Sequence, residues 1–143
     1  MKPREGATIH SSSLRVRYSE TDSMGVAYYA NYLIWFEVAR TDLLRGHGLR
    51  YRDLEARGHL LPVCEVQLRL IAPARYDDPL RVDCWLDEAR SRRISFGYRV
   101  SRVEDGDEQL LAEGATSLMA VDTRMRPSRL PGDLLERFKS LVA

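Results

Sequence analysis

Residues 31 to 49, "NYLIWFEVARTDLLRGHGL", decide the fold. Tyr32, Phe36, Ala39 and Leu43 recur at helical spacing, with Trp35, Val38 and Leu44 beside them. The first half is apolar on nearly every side, which predicts a helix wrapped by other structure. Glu37, Arg40, Asp42 and Arg45 bring its later turns to water. Asn31 is a plausible N-cap, and Gly46 and Gly48 supply the stop. Glu37 and Arg40, three residues apart, predict a surface ion pair worth about 0.2–0.5 kcal/mol.

On the N-terminal side, Leu14, Val16 and Tyr18 alternate with Ser13, Arg15, Arg17 and Ser19, the two-residue period of a half-buried strand. Between strand and helix lies a turn that sets Glu20 and Asp22 just ahead of the apolar run and passes through Gly25. On the C-terminal side, "YRDLEARG" adds one or two helical turns. Four further runs alternate or are apolar throughout: Val66, Leu68 and Leu70; Leu80, Val82, Cys84 and Leu86; Ile94, Phe96, Tyr98 and Val100; and "QLLAEGATSLMAVD". The last is apolar or small on both faces, as in a central strand. "APARYDDP" reads as a loop, and the Asp-Gly pair in "EDGDE" as a hairpin turn, which makes the strands antiparallel. "GDLLERFKSLV" suits a terminal helix. The order is strand, long helix, four strands: an α+β class in which one sheet curls round one hydrophobic helix, a single domain over residues 1–143.

The chain has 143 residues, 44% hydrophobic and 30% charged, and a formal net charge of +1. That is one globular domain with no bulk charge to recruit nucleic acid or a membrane. The N-terminus lacks the apolar stretch of a signal peptide, so a soluble cytoplasmic protein is expected. Cys64 and Cys84 sit in strand patterns without ligand spacing and read as buried free thiols. No GxSxG elbow, HExxH, Walker loop or dinucleotide fingerprint occurs, which leaves no cofactor or metal to expect and carboxylates as the catalytic candidates. Asp22 is open to two readings. Asp is common in turns, where it bonds nearby amides. A carboxylate just ahead of an apolar helix also stands near free N–H groups that can polarise a carbonyl.

"YSETDSMGVAYYANYLIWFEVARTDLL" resembles the signature of the 4-hydroxybenzoyl-CoA thioesterase family of hotdog-fold acyl-CoA thioesterases, and the resemblance continues through "YDDPL" and "EARSRRISF" to the strand around Met119. It implies a hotdog fold, a five-stranded antiparallel sheet wrapped around one long central helix. Asp22 falls on the last acid of the family's Asp-x-Asp-x-x-Gly turn, as general base or nucleophile, and Gly25 on its glycine. Tyr29 falls at the helix start, where its backbone N–H would donate to the oxyanion. Its side chain is either a core aromatic or part of the site. Glu20 stands where many relatives have Asp. Tyr29 replaces the histidine of the "YHANY" branch and is more like the aromatic-acyl branch. The resemblance also places Asn31 in the motif, although capping accounts for it, and puts Arg92 and Arg93 on CoA phosphates, with Ser95 a companion and Arg75 a distant addition. CoA is then part of the substrate rather than a cofactor. A homodimer with sites at the helix interface, or a homotetramer of such dimers, follows by the same resemblance. Two rivals remain: a thioesterase for acyl carrier protein, and a catalytically silent acyl-binding module.

Overall fold

The computed structural model describes all residues from Met1 to Ala143. Strands β1 (Ile9–Arg15), β2 (Val63–Leu70), β3 (Pro79–Ala89), β4 (Arg93–Glu104) and β5 (Asp107–Met119) form one antiparallel sheet in the order β1-β3-β4-β5-β2. Helices α1 (Ala30–Gly46), α2 (Tyr51–Ala56) and α3 (Gly132–Val142) complete the fold. This is the hotdog arrangement that the resemblance implies.

The alternating pattern fixes which face is which. Leu80, Val82, Cys84 and Leu86 of β3, with Ile94, Phe96, Tyr98 and Val100 of β4, are fully buried beneath α1 in one core cluster. From α1, Tyr32, Trp35, Phe36, Ala39, Leu43 and Leu44 meet them. Phe36 stacks on Tyr98 with ring centroids 4.2 Å apart. Phe36 can lie that deep because Gly114 has no side chain: a Cβ there would come within 2.6 Å of the Phe36 ring. The small stretch of β5 thus serves helix packing. Amphipathic α3 buries Leu134, Phe138 and Leu141, and Arg137 bonds the carbonyls of His47 and Gly48 at 3.1 and 2.9 Å, satisfying the end of α1. Between β4 and β5, Asp105 and Gly106 take φ of 52° and 82°, the paired positive values of a type I′ turn.

Four expectations are corrected. The first strand begins at Ile9 and ends at Arg15, because its pairing with β3, from Ile9↔Trp85 to Arg15↔Pro79, runs through serines that carry no hydrophobic signal. The α1 helix is not wrapped on all sides: Ile34 and Val38 are exposed, since one five-stranded sheet covers only one face. Cys64 is exposed, because β2 is an edge strand paired only with β5, while Cys84 is buried; both thiols are free. Arg40 forms no ion pair with Glu37 or any other carboxylate; it is 8% exposed, turned into the core. No helix is long and apolar enough to cross a membrane.

Candidate active site

Glu20, Asp22, Gly25 and the start of α1 form one assembly, and Glu20 is its anchor. A short 3-10 turn over Tyr18–Glu20 delivers Glu20 into the protein, 3% exposed. Its carboxylate accepts the Arg17 N–H at 2.7 Å, the Arg17 guanidinium at 3.2 Å and the Trp35 indole N–H at 2.7 Å. Burial alone would raise its pKa, but these three donors outweigh it and hold the carboxyl below the ordinary glutamate range. The Glu20 carbonyl accepts the Tyr28 N–H and the Asn31 side-chain amide, both at 2.8 Å. Asn31 is therefore not an N-cap. It lies inside the first turn of α1, and Tyr29 occupies the cap position.

From this anchor the chain makes a tight hairpin. Thr21 bridges Ala27, the Asp22 N–H donates to the Val26 carbonyl at 2.9 Å, and the Gly25 N–H to the Asp22 carbonyl at 3.0 Å. Gly25 takes φ of 79°, a conformation that a side chain disfavours. One Asp22 carboxylate oxygen accepts the Met24 N–H at 2.9 Å, and the other has no protein partner.

The molecule contains a twin of this turn. Val121 bridges Pro127, the Asp122 N–H donates to the Arg126 carbonyl at 2.9 Å, the Met125 N–H to the Asp122 carbonyl at 3.0 Å, and Met125 takes φ of 62°. The two aspartates differ in how far they are tied down. Asp122 accepts the Arg126 and Arg124 N–H groups at 3.0 and 2.8 Å and lies 3.5 Å from the Arg126 guanidinium, which together hold its pKa below the usual carboxylate range. Asp122 is spent on its loop; Asp22 keeps an oxygen for something else.

Tyr29 supplies the complementary group. Its backbone N–H donates to no protein acceptor, as befits the N-terminal edge of a helix. Its side chain is 56% exposed against Tyr28, ring centroids 4.7 Å apart, so it is not a core aromatic. Beside the hairpin, Val26, Ala27, Tyr32, Leu70, Ile71 and Pro73 line an apolar cavity of about 270 Å³. A carboxylate, an unengaged amide and an apolar groove are the parts needed to hold an acyl group and attack its carbonyl.

The remaining candidates lie elsewhere. Arg93 and Ser95 alternate with buried Ile94 and Phe96, and so project from the outer face of the sheet. Arg93 pairs with Glu65 at 2.5 Å, and Ser95 with Ser117 at 2.9 Å. Arg92, at the β3–β4 turn, is exposed with no side-chain partner. The Ala120 N–H donates to the Arg92 carbonyl at 2.9 Å and the Leu130 N–H to that of Ser91 at 2.7 Å, which brings the 122–130 loop to the same end. Arg124 and Arg129 of that loop are exposed without carboxylate partners. They escaped the sequence reading because they sit some thirty residues past the turn they join.

Residues 16–138 match the model of the thioesterase-like superfamily. The chain belongs to that family. It is 32% identical over 133 residues to the acyl-CoA thioester hydrolase YbgC of Escherichia coli, covering 92% of this chain and 97% of that one. Among solved structures, a DHNA-CoA thioesterase from Staphylococcus aureus superposes with a TM-score of 0.86 at 28% identity, covering 94% of this chain and 91% of its own. A mutant 4-hydroxybenzoyl-CoA thioesterase complexed with 4-hydroxybenzoyl-CoA superposes with a TM-score of 0.82 at 24% identity, covering 92% and 99%, and shares the thioesterase fold.

Proposed function

We propose that the protein hydrolyses acyl-CoA thioesters to a free acid and CoA, with Asp22 at the centre. The observation that carries this is the free Asp22 oxygen on a hairpin pinned to the start of α1, where the Tyr29 N–H lacks an acceptor. As general base, Asp22 takes a proton from water while the oxygen bonds to the thioester carbonyl; as nucleophile, its own oxygen forms that bond and water later cleaves the anhydride. In both routes the carbonyl oxygen becomes an oxyanion beside the Tyr29 amide. The C–S bond then breaks, and the CoA thiolate recovers a proton. The apolar groove by Val26 and Leu70 takes the acyl group.

For the nucleotide, Arg92 is the guanidinium available without breaking a pair, and Arg124 and Arg129 reinforce it. Arg93 must first release Glu65, and Ser95 must release Ser117. The Asn31 amide is held by Glu20, so it acts on substrate through the hairpin it steadies. The same basic end suits an acidic acyl carrier protein, which makes a carrier-protein thioester the second reading. The protein acts as one domain over residues 1–143, in the cytoplasm, as a homodimer or a tetramer of dimers.

Thiol release from short, medium, long and aromatic acyl-CoAs, and from the matching carrier-protein esters, tests this for wild type and Asp22→Asn side by side. The expected result is turnover of CoA esters by wild type and a loss of about 10²–10⁴-fold in the variant. Near-normal turnover by Asp22→Asn overturns the assignment. Turnover of carrier-protein esters alone selects the second reading, and none by wild type leaves an acyl-binding module.

A further inference from the structure

A second cavity, of about 390 Å³, lies between α1, α2 and the segment leading into β2. It shares no lining residue with the groove beside Asp22. Leu60, Leu61, Pro62 and Met125 make its apolar wall, and Arg40, Tyr51, Glu37 and Glu55 its polar one. Arg40 is the unusual member. It is more than nine-tenths buried, yet no carboxylate comes within 4.0 Å of it. Its Nε donates to the Tyr51 hydroxyl at 3.2 Å, and the Tyr98 hydroxyl also faces it.

Those hydroxyls offer dipoles and no countercharge. Burial pushes the Tyr51 hydroxyl up to about 12 and also raises that of Tyr98, and Tyr98 is itself engaged with Thr116 at 2.5 Å. Buried charges are ordinarily paired, because desolvation without a partner costs several kcal/mol per ion. Glu37 and Glu55 belong to the same lining, but both are exposed and neither comes within 4.0 Å of the Arg40 guanidinium. A guanidinium with unused donors at the floor of a half-apolar cavity is built to receive a planar anion bidentately.

We infer that this cavity is a binding site for an organic carboxylate, its apolar body against Leu60, Leu61 and Met125 and its anionic end on Arg40. Two sources present that chemistry. One is the far end of a carboxylated acyl group, which rests on the thioesterase reading; Arg40 stands eleven residues beyond Tyr29 in the chain, about 16 Å along the axis, so such an acyl group must be long. The other is a free acid, bound independently of catalysis.

Calorimetric titration of wild type, Arg40→Met and Leu60→Trp with benzoate, adipate and neutral benzamide tests the site without any turnover. The expected result is benzoate or adipate binding at least tenfold tighter than benzamide, with that advantage lost in Arg40→Met. Weakened binding of both carboxylates is expected in Leu60→Trp, which narrows the cavity and keeps the charge. Equal binding of carboxylate and amide overturns the inference, as do wild-type affinity in both variants and no binding at millimolar concentration. If Arg40→Met does not fold, Leu60→Trp decides. Thiol release from ω-carboxyacyl-CoAs against neutral esters of equal length then identifies the source. A tenfold preference assigns the site to the acyl end, and no preference alongside carboxylate binding assigns it to a free acid. A protein that binds carboxylates and cleaves no thioester keeps the site and loses the thioesterase reading.

Discussion

Glu20 and Asp22 are two residues apart, yet the fold gives them opposite surroundings. Glu20 is a buried strut, its carboxylate filled by Arg17 and Trp35; Asp22 holds one amide and presents its second oxygen. Glu20→Gln removes the charge from those bonds and is expected to lower stability by about 1.5–3 kcal/mol in urea titration, the range for a hydrogen bond to a charged group. The pH dependence follows from the depressed folded pKa. The Glu20 contribution is fully present above the unfolded glutamate pKa and is lost as pH falls through the lower folded value. The stability gap between wild type and Glu20→Gln is therefore expected to close on acidification below about pH 4. A gap of constant size across that range shows that the charge does not support the hairpin. None of this was legible beforehand. A glutamate in a turn looks solvated, and only the Trp35 indole that α1 brings back to it reveals what it holds. Arg40 was hidden for the same reason: its letter signals water, while Tyr51 and Tyr98 supply a polar pocket from two other elements.

At the level of elements, periodicity carried most of the information. The α1 helix and the β3 and β4 strands follow their 3.6- and 2-residue patterns, and the Asp-Gly turn between β4 and β5 sits where its dipeptide placed it. Exposure was harder to read, because whether Cys64 or Ile34 is covered depends on which strand ends the sheet and how far it curls. The junction between α1 and β5 is a sharp case of element packing. Gly114→Ala sets a methyl group 2.6 Å from the Phe36 ring and 2.7 Å from the Gln67 carbonyl, where neither can yield cheaply. Overpacking of this kind costs about 1–3 kcal/mol. A lowered urea midpoint with unchanged slope is the expected result, and wild-type stability would show that Phe36 moves freely.

For the whole molecule, the unresolved demand is apolar surface. The β2 strand ends the sheet with Val66 43% and Leu70 53% exposed, next in the chain to exposed Ile71, while α1 leaves Ile34 and Val38 uncovered. An edge strand with such side chains invites pairing with another copy. Wild type is expected to sediment at a multiple of 16.4 kDa, and Val66→Lys, which sets a charge on that edge, to move toward the monomer. A wild-type monomer at micromolar concentration would remove the dimer from the proposal. The groove beside Asp22 ends at Leu70 and Ile71, so loss of pairing should also weaken turnover.

The bond between Trp35 and Glu20 also makes the protein its own optical reporter. Only two tryptophans are present, and both indoles are buried, but Trp85 lies on the outer face of the sheet over Gly97, and only Trp35 bonds Glu20 beneath the Asp22 hairpin. In a Trp85→Phe background, emission therefore comes from one ring whose N–H is tied to the strut beneath Asp22. Any event that lifts or tightens that hairpin, such as ester binding, product release or acid, becomes a change in colour and lifetime readable on the millisecond scale without a label.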